Sequence, residues 1–323
     1  MATINWGIIG CGNVTENKSG PAFKKIADSD LVAVMRRDAA KAADYAHRHQ
    51  VNKWYNDADT LMDEAGVNSI YIATPPSSHL EYALAALKKG LNVYVEKPVT
   101  RNAAEARAMA EAVKQGSSKL TVAHYRRAVP MFLAIKALID KQKIGEIRTV
   151  QIRMWQSRKP ALIAKVETNW RLQPELSGGG YFHDLAPHQL DLMLFYFGKP
   201  EKYHGFSLNQ SNSTAADDHV CGQILFNNNV VVNGSWCFNV AESLTTDTCE
   251  IIGTKGKITF PFFGNYVSWK TDSEEETITF QHPQHIQQPM IEKIVAYFKN
   301  EGPNPCTIED AIVLMDIMDA FTK

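Results

Sequence analysis

From residue 3 to about 123 the chain alternates short apolar runs with segments of helical periodicity. "INWGIIG", "LVAVM" (31–35), "SIYIATP" (69–75), "LNVYVE" and "KLTVAH" show no regular polar alternation, as expected of strands buried on both faces. Between them lie "AAKAADYAHRH", "SSHLEYALAALKKG" and "AAEARAMAEAVKQG", which space their apolar residues as helices do. Strand and helix in alternation predict a doubly wound parallel sheet.

After residue 124 the rhythm changes. A helix is expected over about 128–141, with Pro130 in its first turn, where proline is tolerated. "IRTVQIRMWQ" alternates like a half-buried strand, and a helix follows the glycines at 178–180. Strand-like runs then recur around 203–211, 219–226, 229–238, 247–252, 256–262, 265–270 and 276–281, divided by turns such as "NNN", "GTKG" and "FFGN". That succession predicts an open, mostly antiparallel sheet, and helices at about 287–300 and 307–322 close the chain. The expected domains are therefore 1–124 and 125–323.

Composition narrows the function. The 323 residues carry a net charge of −1, with 45% hydrophobic and 21% charged residues, which fits a globular chain of two domains. So balanced a charge disfavours nucleic acid or an anionic membrane as partner. No apolar run approaches membrane-spanning length, and "MATINWGIIG" reads as a strand rather than a signal peptide. The five cysteines are scattered and odd in number, so free buried thiols and a cytoplasmic location are expected.

Candidate chemistry begins where the first strand runs into "GIIGCGN". A glycine turn between strand and helix lets backbone N–H groups approach a pyrophosphate, which nominates Gly10, Gly12, Asn13 and Val14 as cofactor contacts. The fingerprint is incomplete, because Thr15 stands where a third glycine is usual. The second strand ends "VMRRD". Arg36 and Arg37 there suit a ribose 2′-phosphate and favour NADP(H) over NAD(H), unless both are solvated or Asp38 neutralises one. "ATPPSSH" follows a later strand at the edge where such sheets bind ligands, adding Thr74, Pro75 and His79, although His79 could equally pack at a helix start.

Together, "GIIGCGN", "ATPPSSH", "EKP" (96–98) and "GGGYFHDLAPHQLD" (178–191) resemble the Gfo/Idh/MocA oxidoreductases, the glucose–fructose oxidoreductase and inositol dehydrogenase group, over nearly the whole chain. The resemblance implies a Rossmann domain followed by a substrate-binding domain whose open sheet often makes an oligomer interface, here a homodimer or homotetramer. It implies NAD(P)-dependent chemistry on a sugar, polyol or related small molecule. It places Lys97 beside nicotinamide and substrate, has Asp184 and His188 complete the site, and sets Trp170 and Arg171 near the nicotinamide side. The segment "HYRR", with Tyr125 and Arg126, would meet cofactor or substrate. Dihydrodiol or anhydrosugar specificity, and a cofactor-binding regulator without turnover, are the alternatives.

The residue types agree with that chemistry. Hydride transfer to a carbonyl requires a proton for the developing alkoxide, and histidine exchanges protons near neutral pH. Asp184, His188 and Asp191 stand at i, i+4 and i+7, on one helical face. Asp184 could orient His188, bind substrate or cap the helix; Asp191 could support the site or lie at the surface; His188 could be a core residue. Lys97 could stabilise the alkoxide, and Glu96 could bind a cofactor ribose or pair with Lys97. A metal held by His183, Asp184 and His188 is disfavoured, because the histidines are five apart and no further ligand motif is present.

Overall fold

The computed structural model describes residues 3–163 and 169–322. Its first sheet contains β1 (Ile4–Ile9), β2 (Ser29–Met35), β3 (Lys53–Tyr55), β4 (Ser69–Ile72), β5 (Asn92–Val95) and β6 (Leu120–Val122). Their order is β3-β2-β1-β4-β5-β6 and every neighbouring pair is parallel. This is the Rossmann order, with the chain reversing direction across the sheet between β1 and β4. The short edge strand β3 lies outside the sequence expectation, since three half-polar residues make no apolar run.

Helices α1 (Asn13–Asn17), α2 (Ala39–Arg48), α3 (Ala58–Glu64), α4 (His79–Lys88) and α5 (Ala103–Gln115) connect these strands. Local chemistry sets their starts. Asp38, Asp57 and Asn102 each accept the backbone N–H three residues on, capping α2, α3 and α5. The sheet's interior is aromatic. Trp6 packs against Phe23 at 4.8 Å between centroids, and Tyr71 on β4 stacks on Tyr94 on β5 at the same separation. Such pairs contribute about 0.5–1.5 kcal/mol beyond area burial. Here they also set two phenol groups side by side within the core.

The second sheet contains β7 (Ile147–Trp155), β8 (Pro200–Leu208), β9 (His219–Phe226), β10 (Val231–Cys237), β11 (Thr246–Gly253), β12 (Gly256–Phe260), β13 (Tyr266–Thr271) and β14 (Glu275–Thr279). The order is β14-β13-β12-β11-β7-β10-β9-β8, antiparallel except for the parallel pair β7–β10. Alternate residues of β7, such as Val150, Ile152 and Met154, are buried, as its sequence pattern predicts. Four helices that bear on this half or close the chain are α6 (Pro130–Asp140), α7 (Pro174–Ser177), α8 (Gly180–Phe197) and α9 (Gln288–Phe298); α10 (Ile308–Phe321) ends it.

The chain divides into two compact units, one of Met1–Tyr125 with Pro283–Ile312, the other of Arg126–His282 with Val313–Lys323. The first unit is thus discontinuous in sequence. The segment that carries α9 returns to the first sheet, where the Gln287 N–H donates to the Lys18 carbonyl at 3.1 Å. All five cysteines are free; Cys221 is half-buried and the other four are buried. Among the described residues no helix is long and apolar enough to cross a membrane.

Candidate active site

In the first unit, the turn after β1 packs directly on the end of β4. Gly10 has φ +93°, and a Cβ there would stand 2.7 Å from the Thr74 side chain and 2.9 Å from the Ala73 backbone. Only glycine satisfies both constraints. At Gly12 the situation is reversed: a Cβ would meet nothing closer than the Gly10 carbonyl oxygen at 3.8 Å. The turn is anchored on one side and open on the other, which fits a phosphate group against its backbone. Asn13 is exposed and Val14 half-buried at the start of α1. Thr15, in the third glycine's place, is buried; its hydroxyl donates to the Gly12 carbonyl at 2.8 Å and its own carbonyl accepts from Tyr45.

Arg36 reaches back to this turn, where its Nη1 donates to the Cys11 carbonyl at 3.3 Å. Arg37 is exposed. Asp38 does not neutralise either guanidinium: its carboxylate caps α2 and faces Lys41 at 3.8 Å. Among the described residues, neither arginine has a carboxylate within salt-bridge distance.

His79 is fully buried. Nδ1 lies 3.0 Å from the Pro98 carbonyl and 3.2 Å from that of Val99, and Nε2 lies 2.8 Å from the Thr74 carbonyl. Burial holds its imidazole below the ordinary range. The ring therefore ties the loop after β4 to the loop after β5.

Lys97 leaves the carboxyl end of β5 half-buried, before a cis bond to Pro98. Glu96 beside it is 5% exposed. Its Oε1 accepts from the Tyr71 hydroxyl at 2.6 Å and from Gln287 Nε2 at 2.7 Å, and its Oε2 accepts from the Lys97 backbone N–H at 3.1 Å. Burial, with the Glu96 carboxylate next to it, pushes the Tyr71 phenol well above its usual range, so it remains a donor.

In the second unit the centre is α8. Gly178, Gly179 and Gly180 all have positive φ, which explains the glycine run before the helix. Every residue of α8 is buried except Asp184 and Phe195. The cap residue is Gly179, so Asp184 is not the N-cap. Its Oδ2 instead accepts from Arg171 Nε at 2.6 Å, and the Arg171 guanidinium lies 4.4 Å from the Trp170 ring centroid. His188, 5% exposed, meets the Phe263 ring edge-on at 5.7 Å. Phe263 also lies 4.4 Å from the Arg126 guanidinium. Its turn is held by Asp247, which accepts the Phe262 and Phe263 N–H groups at 3.0 and 2.6 Å and whose carboxyl burial pushes upward.

Asp191 is neither exposed nor solvated. Arg127 grips it from Nε at 3.0 and 3.1 Å and from Nη2 at 2.7 Å, with side chains 9% and 3% exposed. Arg126 is buried as well, and its Nη1 donates to the Phe262 carbonyl at 2.5 Å. Tyr125, which ends the N-terminal segment of the first unit, is buried. His183 Nδ1 lies 3.0 Å from the Gly179 carbonyl, and burial lowers its pKa to about 4. Among the described residues no group of three or more potential ligands could hold a metal.

The sequence reading missed Gln287, Tyr71, Asp247 and Phe263. Gln287 lies 191 residues from Glu96, and "FFGN" carried only a turn signal. Polarity in otherwise apolar context was the one available clue, at Tyr71 within "SIYI".

Residues 4–124 match the oxidoreductase family with an NAD-binding Rossmann fold, and residues 132–259 match the Gfo/Idh/MocA C-terminal domain. Oxidoreductase P35 of Formosa agariphila is 49% identical over 318 residues, 98% of both chains. The chain belongs to the Gfo/Idh/MocA oxidoreductases. A more distant relative is the trans-1,2-dihydrobenzene-1,2-diol dehydrogenase of Sus scrofa, 28% identical over 78% of this chain and 72% of that one. The aldose–aldose oxidoreductase of Caulobacter crescentus, solved with glycerol, shares the fold at a TM-score of 0.87 and 19% identity, over 99% and 96% of the two chains. As a Gfo/Idh/MocA protein, this chain is an oxidoreductase acting on CH–OH groups, and its Rossmann unit binds the nicotinamide cofactor.

Proposed function

We propose that this enzyme prefers NADP(H) and interconverts an alcohol and a carbonyl on a sugar, polyol or related small molecule. Bound nicotinamide would accept or supply the hydride. In the oxidative direction the His188 imidazole takes the substrate hydroxyl proton, and in the reductive direction it returns that proton to the developing alkoxide. The Lys97 ammonium stabilises the alkoxide charge. Asp184, fixed by Arg171, orients substrate hydroxyls or the imidazole four residues on. Gly10, Gly12, Asn13, Val14, Thr74 and Pro75 would hold the dinucleotide, with Trp170 and Arg171 toward the nicotinamide.

The observation that carries this reading is the convergence at one sheet edge. The glycine turn packs on Thr74 after β4, and Lys97 leaves the neighbouring strand β5 at the same end. Arg36 on the turn's backbone, without a carboxylate partner among the described residues, supports NADP(H) over NAD(H). A dihydrodiol is the second substrate class, favoured by the relative from Sus scrofa. Hydride transfer followed by nicotinamide absorbance against a panel of aldoses, polyols, anhydrosugars and dihydrodiols tests the reading. Turnover with at least one, lowered about a hundredfold but still measurable in Lys97→Ala, is expected; turnover undiminished in that variant contradicts it. We also infer a homodimer or homotetramer. Phe206 and Leu208, one face of β8, are 55% and 46% exposed, and covering them by a second copy is checked by sedimentation.

A further inference from the structure

We propose that Gln287 is a positioning residue of the reaction, pinning the Glu96 carboxylate that fixes the backbone from which Lys97 projects. Gln287 is fully buried at the start of α9, in the segment that returns to the first unit after the second sheet. Both ends of its amide are used. Nε2 donates to Glu96 Oε1 at 2.7 Å, and Oε1 accepts the Tyr94 hydroxyl at 2.9 Å. The opposite orientation would set a carbonyl against a carboxylate and an NH2 against a hydroxyl, so the two partners select this one. Tyr71 supplies the second donor to the same carboxylate oxygen.

The geometry separates the two oxygens of Glu96. Oε1 is held by Gln287 and Tyr71, while Oε2 receives the N–H of Lys97 itself. A buried carboxylate must be satisfied by donors to remain where it is. Loss of the Gln287 donor therefore loosens Oε1, and with it the acceptor that orients the Lys97 peptide. Displacing a catalytic group by about 1 Å costs on the order of a hundredfold in rate, so even partial loosening is measurable. Gln287 touches no reacting atom in this scheme and acts wholly through Lys97.

This inference rests on the role given to Lys97 under the proposed function, and a double-mutant cycle separates the two. The assay uses whichever compound in the panel turns over fastest. Gln287→Leu is expected to lower kcat about tenfold while the KM for the cofactor stays within about twofold. In a Lys97→Ala background the same change is expected to have no further effect on kcat. An equal fall in both backgrounds overturns the inference, because it marks a structural role. If Lys97→Ala leaves kcat intact, the proposed role of Lys97 fails and this inference with it; if Lys97→Ala is slow but Gln287→Leu is normal, only this inference fails. Tyr71→Phe, which removes the other donor without changing shape, repeats the cycle should Gln287→Leu not fold, with about a threefold fall expected. Independently of turnover, hydrogen exchange of the Lys97 amide in the cofactor-free protein is expected to quicken about tenfold in either variant, with the exchange of β9 unchanged. Unchanged exchange at Lys97 overturns the proposal.

Discussion

Glu96 in the first unit and Asp184 in the second are both carboxylates at a candidate centre, and they are held in opposite ways. Glu96 is 5% exposed and, among the described residues, accepts from neutral donors: a phenol, an amide and a peptide N–H. Asp184 keeps some exposure and is paired with the Arg171 guanidinium. A carboxylate satisfied on all sides by neutral donors is fixed in place and is poorly suited to exchange partners during a reaction. One paired at the margin of a buried helix can still meet a ligand. That difference agrees with the proposed roles, in which Glu96 supports the backbone of Lys97 and Asp184 faces the substrate.

Four experiments break or sharpen that division. The largest effect is expected from His188→Ala, which should lower kcat by about a thousandfold, or about 4 kcal/mol, with cofactor affinity retained. Near-normal turnover would remove His188 from the proton transfer. Next is Asp191→Ala, one turn further along α8. Leaving the Arg127 cation buried without its bidentate partner should cost about 3 kcal/mol in urea unfolding. A change below about 1 kcal/mol would show that water reaches Arg127 and that α8 is less sealed than its burial indicates.

The third concerns pH. His183 is buried with its pKa lowered from 6.5 to about 4. The unfolded chain takes up a proton as pH falls through about 6.5, and the folded chain only near 4. Stability from this residue is therefore full above about pH 6.5 and is lost progressively toward pH 4, by about 3 kcal/mol at most. His183→Phe should flatten that part of the unfolding profile; an unchanged slope would contradict the burial argument. The smallest effect is that of Arg36→Ala, expected to weaken NADP(H) about tenfold in a calorimetric titration and leave NAD(H) unchanged. Equal loss for both cofactors would mean that Arg36 supports the turn rather than a 2′-phosphate.

Much of the architecture was legible because it is written in short-range pattern. Continuous apolar runs marked β1, β2, β4, β5 and β6, and strict alternation marked β7. The candidate groups Gly10, Lys97, Asp184 and His188 stood in motifs whose local geometry follows from their own neighbours. What escaped was non-local. The parallel pairing of β7 with β10 joins residues about eighty apart, and no local pattern distinguishes it from an antiparallel partner. The return of 283–312 to the first unit has no compositional signature, and so neither Gln287 nor its bond to Glu96 could be foreseen. Arg171 and Asp184 were each singled out, but the glycine run between them hid their pairing.

The proposal most open to test is that the Lys97 ammonium and the His188 imidazole serve one chemical step. The most direct measurement is kcat for Lys97→Ala, His188→Ala and the double variant on the best panel substrate. Residues that work as a unit lose most of their joint contribution when either is removed. The account predicts a double variant no more than about threefold slower than the slower single variant. A double variant slowed by the full product of the two single effects would contradict it.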